Sequence, residues 1–302
     1  MRLQGKPWLG IALLAAATLI CCFAIDRFQH RFVRSDRDLI GLLPGQEATV
    51  FYGQIDLLRR AGLLNLFAGS KDAEYQSFVS ATGFDYTKNV DAIAVAAKQG
   101  EAFAAMKGQF AWSRMRSYIR DRGGSCADDL CQFRSSKRDT WISLVRVQGN
   151  VIALSVGAKE LWRKIHPGQQ RSADMPTDPV WVKLAPELLK DPAKWPVPFG
   201  IFVEPLQSAE SVVFYLDAAP ANSGNAFEIK LHGSYSTTAA ANGARSLLEI
   251  DTKVLKFAFA RQHVNPGTEV AAIMISGTFR TNGSLVTGSW PVSKDLLKAL
   301  QQ

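Results

Sequence analysis

The feature that most constrains this chain is an uncharged run from Trp8 to Ile25, preceded by Arg2 and Lys6 and followed by Asp26 and Arg27. Eighteen helical residues at about 1.5 Å each cover roughly 27 Å, close to the hydrocarbon thickness of a bilayer. The run is too long for a comfortable signal-peptide core and just long enough to span. Three readings compete. An uncleaved signal-anchor helix over residues 1–25 fits the length best. A cleaved signal peptide with Cys22–Ala24 before the cut comes second, because Cys22 is only fair as a small residue there. Acylation of Cys21 or Cys22 comes third. The residue before a lipidated cysteine is normally small, and here it would be Ile20 or Cys21.

Residues 26–43 read as a charged juxtamembrane stalk. Arg27, Arg31, Arg34 and Arg37 are interleaved there with Asp26, Asp36 and Asp38. A literal positive-inside count would put the following domain in the cytoplasm. The N-terminal position of the run, with a short basic stretch before an apolar core, favours the opposite side. The expectation is a single-pass protein of the cytoplasmic membrane with its bulk extracytoplasmic, that is, periplasmic. Contact of the stalk with lipid phosphates ranks behind a plain solvated linker.

The 302 residues are 47% hydrophobic, enough for one large core or two smaller ones. Lys and Arg number 35 against 27 Asp and Glu, a net charge of +8 that suits an anionic partner or simply a soluble basic protein.

Beyond Pro44 the pattern alternates between strands and helices. Ala48–Asp56 has strand character, residues 57–67 a helical one, and residues 73–82 form a second short helix. Two apolar runs flank a hairpin turn at Lys98–Glu101. Residues 111–122 read as a helix with Trp112, Met115 and Ile119 inward, and Arg114, Arg116 and Arg120 outward. A hairpin about Gly149–Asn150 and a helix over 158–166 follow. Pro167–Pro179, rich in turn formers, is the best boundary, dividing subdomains 44–175 and 176–302. Residues 181–191 are expected as a helix; 199–205, 211–218 and 227–236 as strands. The longest helical pattern runs from Thr238 to about Gln262, with Leu247, Leu248, Val254, Leu255 and Phe259 on its packed side. Residues 271–279 and 285–292 are expected to make a last hairpin about Asn282–Gly283, and residues 293–301 a closing helix.

A weak internal echo joins the halves. Met106–Phe110 and Leu231–Tyr235 each carry Gly-x-aromatic at the end of a strand before a helix, and Ile275–Phe279 and Thr287–Pro291 repeat the motif. Glycine lets a strand bend as it leaves a sheet. The predicted class is α+β, with mostly antiparallel sheets, packed helices and two related halves. The strand followed by "HGSYSTTAAANGARSLL", then "ISGTF" and a terminal helix, resembles uncharacterised bacterial membrane-anchored proteins, mainly over residues 44–95 and 226–300. The resemblance implies an anchored extracytoplasmic domain and brings no activity with it.

Chemistry is sparse. The chain has no phosphate-cradling glycine loop, nucleophile elbow or His-Glu-x-x-His. His30, His166, His232 and His263 are scattered, and none has a second ligand at metal spacing. Asp85, Thr87, Asn89 and Asp91 imitate a calcium loop but have Val90 at the sixth position and Ala96 at the twelfth, so Asp85 is read as a cap or turn residue. The arginines between Arg114 and Arg138 read first as a solvated basic face. Contact of Arg114, Arg116 and Arg120 with anionic lipid or glycan ranks second. No nucleic acid, metal or cofactor is expected, the catalytic residues of any enzyme are unknown, and no protein partner can be named.

Cys126 and Cys131 lie four residues apart with Asp128 and Asp129 between them. Zinc would need a second pair, and a thioredoxin-like couple has two intervening residues. In an oxidising compartment the simple reading is a structural disulfide, closing a loop of about six residues worth roughly 2 kcal/mol. The leading expectation is a membrane-anchored extracytoplasmic, non-enzymatic binding or envelope-interaction module. The alternative is an envelope-associated hydrolase or transferase with a site not recognisable from the sequence.

Overall fold

Strict alternation in "VDAIAVAA" builds the first hairpin: every second residue of that strand is buried, and the chain turns at Gly100, whose φ of +83° favours glycine. The computed structural model describes residues 35–44, 47–66, 73–98, 100–135, 140–159, 161–164, 175–190, 195, 200–219, 225–261 and 270–293. The expected anchor with Cys21 and Cys22, residues 26–34 of the expected stalk, His30, His166, His263 and residues 294–301 of the expected closing helix lie outside them.

In chain order the elements are a 3-10 helix (Asp36–Leu42), β1 (Thr49–Gln54), α1 (Ile55–Arg60), a 3-10 turn (Leu63–Leu66), α2 (Ala73–Thr82), α3 (Tyr86–Asn89), β2 (Val90–Lys98), β3 (Glu101–Gly108), α4 (Trp112–Asp121), β4 (Ser125–Ala127), β5 (Leu130–Arg134), β6 (Trp141–Gln148), β7 (Val151–Gly157) and a 3-10 turn (Leu161–Lys164). They continue with β8 (Val180–Leu184), α5 (Pro186–Leu189), α6 (Gly200–Val203), a 3-10 turn (Glu204–Leu206), β9 (Ser211–Ala218), β10 (Asn225–Ser234), α7 (Thr238–Arg261), α8 (Val270–Ile275), β11 (Thr278–Asn282) and β12 (Leu285–Ser293).

The chain is α+β. Its described strands form one twelve-stranded antiparallel sheet, in the order β11-β12-β10-β9-β8-β1-β2-β3-β7-β6-β5-β4. Residues 44–175 contribute β1–β7 and residues 176–302 contribute β8–β12. The two sets join in mid-sheet, where Tyr52 of β1 lies opposite Trp181 of β8. Each set runs three strands, a helix and a hairpin: β1-β2-β3-β7-β6 with α4, and β8-β9-β10-β12-β11 with α7. The β4–β5 hairpin extends the outer edge of the first. Gly108, in the Met106–Phe110 motif, ends β3 where a Cβ would sit 2.0 Å from the Asn89 carbonyl oxygen, so only glycine fits that exit.

Cross-strand partners share a face. On one face Tyr52 and Trp181 continue into Ala94 and Ala105, and the small alanines make room for Leu39, Ile40, Leu42 and Leu43. Leu39, Ile40, Leu42 and Leu43, assigned to the stalk, are therefore part of the core, and Asp36 pairs with Lys107 of β3 at 2.7 Å. On the other face α4 packs Trp112, Met115 and Ile119 against Cys131 and Ile152, as its spacing predicts. α7 packs Ala241, Ala244, Leu248 and Leu255 over the opposite half of the sheet, with Leu248 beside Leu231, Phe279 and Trp290.

Several local expectations are corrected. Residues 180–184 form a central strand rather than a helix, because Val180, Trp181 and Leu184 are buried between β1 and β9; only Pro186–Leu189 is helical, opened by proline at its first turn. Residues 200–206 are helical turns rather than a strand, and Val270–Ile275 is a short helix that yields to β11 after Gly277. Short apolar runs do not distinguish strand from helix by periodicity, which accounts for all three. The expected helix over 158–166 is a 3-10 turn within its described part. Leu247 and Val254 are solvent-exposed, not packed.

Candidate functional site

Three features of the described residues could meet something outside the chain. The first surrounds the cysteines. The segment expected as a loop is a β-hairpin, with Cys126 and Cys131 direct partners across it, and the disulfide joins them with their Cα atoms 4.1 Å apart. Asp128 takes the turn with φ +48°, a left-handed conformation that aspartate tolerates better than most residues. Asp129 pairs with Arg146 at 2.6 Å, so neither aspartate is arranged as a ligand. Arg120 donates to the Cys126 carbonyl oxygen at 3.4 Å, which ties the hairpin to α4. Arg114 and Arg120 are exposed and Arg116 is half-buried, its Nε unpartnered among the described residues. The Arg122 guanidinium lies 5.0 Å over the Tyr118 ring.

The second feature was not visible in the sequence. On the face shared by Tyr52 and Trp181, the row continues through Tyr215 and Lys230 to Ser289. Lys230 is 2.6 Å from Asp217 and 3.7 Å from Glu228, and Ser289 donates to Glu228. The hydrogen bond and charge of Asp217 push the Lys230 ammonium up. His232 stacks at a tilt on Tyr215, ring centroids 4.6 Å apart, and burial holds its imidazole below the usual value. Tyr52 Oη and Trp181 Nε1 are buried in the same row without a hydrogen-bond partner among the described residues. These groups come from five strands, β1, β8, β9, β10 and β12, and no local spacing signals them. Chemically they form an ion-pair lattice: Ser289 is bonded to a carboxylate, not to His232, so no nucleophile–base pair is assembled.

The third feature is the outer side of α7, where Leu247, Ile250, Val254 and Phe257 are 48%, 52%, 58% and 63% exposed. The sequence signal was there, as a second apolar period beside the core-facing one.

Asp85 caps α3, accepting from the Thr87 backbone N–H at 3.0 Å, the Thr87 hydroxyl at 2.7 Å and the Tyr75 hydroxyl at 3.1 Å. This is the cap its sequence suggested. Among the described residues no group of three or more His, Cys, Asp or Glu is placed to hold a metal ion. Among them, too, no helix is long and apolar enough to cross a membrane.

No protein-family model and no curated protein matches the chain. Among solved structures it is similar to crystal form I of TP0453, at 11% identity and a TM-score of 0.47, covering 87% of this chain and 96% of that one. It is likewise similar to crystal form III of TP0453, at 9% identity and a TM-score of 0.45, covering 86% and 96%.

Proposed function

We propose that this chain is a membrane-anchored extracytoplasmic protein acting as a non-enzymatic binding or envelope-interaction module. The observation that carries the reading is the Cys126–Cys131 disulfide, formed on a cross-strand pair at the outer end of the sheet. Disulfides persist in oxidising compartments, and the uncharged Trp8–Ile25 run supplies a means of export and anchorage. Exposed cations on α4 and exposed apolar side chains on α7 are features of a surface that binds. Anionic lipid or glycan would meet the α4 face through Arg114 and Arg120, with Arg116 half-buried behind them. The two halves are related repeats, a reading supported by their matching strand order and by Gly-x-aromatic at the exits of β3 and β10.

A second reading, an envelope-associated hydrolase or transferase, would have to use the cluster of Lys230, Asp217, Glu228 and Ser289, where no nucleophile–base pair is assembled. It would require a ligand to rearrange Ser289 away from Glu228.

The test is thiol labelling of Cys126 and Cys131 in intact cells with a membrane-impermeant reagent. Labelling of intact cells only after reductant supports the reading. Labelling that needs permeabilisation and no reductant overturns it.

A further inference from the structure

We propose that the exposed apolar stripe of α7 docks into the interfacial zone of an anionic lipid bilayer. This rests on the anchored reading above and adds which part of the domain meets the membrane.

Leu247, Ile250, Val254 and Phe257 follow a three-four-three spacing. At about 100° per residue they fall within an arc of roughly 80°, centred about 130° round the helix from Leu248 and Leu255. α7 thus has two apolar strips, one spent on the sheet and one open. The four half-exposed side chains offer roughly 400 Å², large for an exposed patch on a monomer and about half of what each partner gives to a stable dimer.

Charge selects the occupant. Lys253 is exposed beside the stripe, and Arg261 continues its line, with its guanidinium 5.0 Å over the Phe257 ring. Both acids of the helix are half-buried. Glu249 is held by Arg245 at 2.5 Å, and Asp251 has its carboxyl pushed up by burial and then by the charge of Glu204. An apolar strip edged by long cations is the form of a helix that lies in the plane of a membrane, with the cations reaching up to phosphates. A second copy would bring the Lys253 and Arg261 cations of both chains to one contact over too small an area. The ten-residue step from Ile25 to Ser35 spans at most about 35 Å, so an anchored domain stays within reach of the bilayer and docks at high effective concentration.

The experiment uses the full chain carrying Cys21→Ser, Cys22→Ser and Val254→Cys, labelled at residue 254 with an environment-sensitive fluorophore and reconstituted into vesicles. The vesicles are phosphatidylcholine alone or with phosphatidylglycerol, each with headgroup-region doxyl lipid as quencher. The expected result is a blue-shifted, quenched label whose quenching grows with the anionic fraction. Adding Ile250→Glu should reduce it to the level of a label at Gly149→Cys, and Lys253→Gln should lower the docked-to-undocked ratio about fivefold. A label that stays in water on vesicles to which the chain floats overturns the docking and leaves the anchor standing. A shift that follows protein concentration and persists in detergent makes the stripe a contact between copies, which also overturns it. A chain that does not float at all overturns the anchored reading and the docking with it.

Discussion

Leu247 and Leu248 are consecutive on α7, yet Leu248 is fully buried against Leu231 and Phe279 while Leu247 is 48% exposed. A turn of about 100° separates them, enough to move one side chain from the core to solvent. Leu248→Ala is expected to cost about 3 kcal/mol in urea unfolding, because it leaves a cavity in a packed cluster. Leu247→Ala should stay within about 0.5 kcal/mol. Equal costs would mean that Leu247 is covered in the protein as it exists in solution.

The disulfide makes a second prediction. Cys131 is fully buried beneath α4, whereas Cys126 belongs to the three-residue edge strand β4. Removing both cysteines as Cys126→Ala and Cys131→Ala should destabilise the domain by about 2 kcal/mol or less, the loop-entropy value for so short a loop. The hairpin's own hydrogen bonds remain, so the loss should be local. Amide exchange should quicken over β4 and the turn at Asp128 while β7 stays protected. Uniform quickening across the sheet would refute that locality.

How much of this was legible in the sequence depends on the range of the interaction. The α4 face, the Asp85 cap, the β2–β3 and β6–β7 turns and the length of α7 rest on signals a few residues apart. Periodicity and turn chemistry reported them correctly. β8 was misread because "WVKLAPELLKD" carries a helical tail, and only its place between β1 and β9 makes Val180–Leu184 a strand. The Lys230–Asp217–Glu228–Ser289 lattice was invisible because cross-strand register creates it, joining residues 61 positions apart in the case of Ser289 and Glu228. α7 was half legible: two overlapping apolar strips were read as one wide packed side.

Asp85 should shape the acid limb of stability. Burial alone would raise its carboxyl, but hydrogen bonds from the Thr87 side chain and backbone, then from Tyr75, with the charge of Lys88, hold it below the ordinary value. A depressed carboxyl stabilises the fold above its unfolded value, about 3.9, and that contribution is lost as pH falls through the folded value. Asp85→Ala should cost about 1–2 kcal/mol at neutral pH, as for loss of a helix cap. Its acid unfolding curve should be flatter than the parent's below pH about 4. Tyr75, pushed up to about 12 by burial and by Asp85, should titrate later than a free phenol in an absorbance titration.

His232 gives a second test of the same sign, nearer neutrality. Burial beside Tyr215 lowers its imidazole and Lys230 lowers it further, against the opposing charges of Asp178 and Asp217. The folded state therefore prefers the neutral ring. Its contribution is present above the unfolded value of about 6.5 and is lost as pH falls through the lower folded value. Histidine resonances followed by NMR should show His232 titrating below that value. Lys230→Gln should move the midpoint up by removing a nearby cation, and Asp217→Asn should move it down. Parent stability should fall between pH 7 and pH 5 more steeply than that of His232→Gln. Midpoints unmoved by either charge change would show that the ring lies outside the Lys230 lattice.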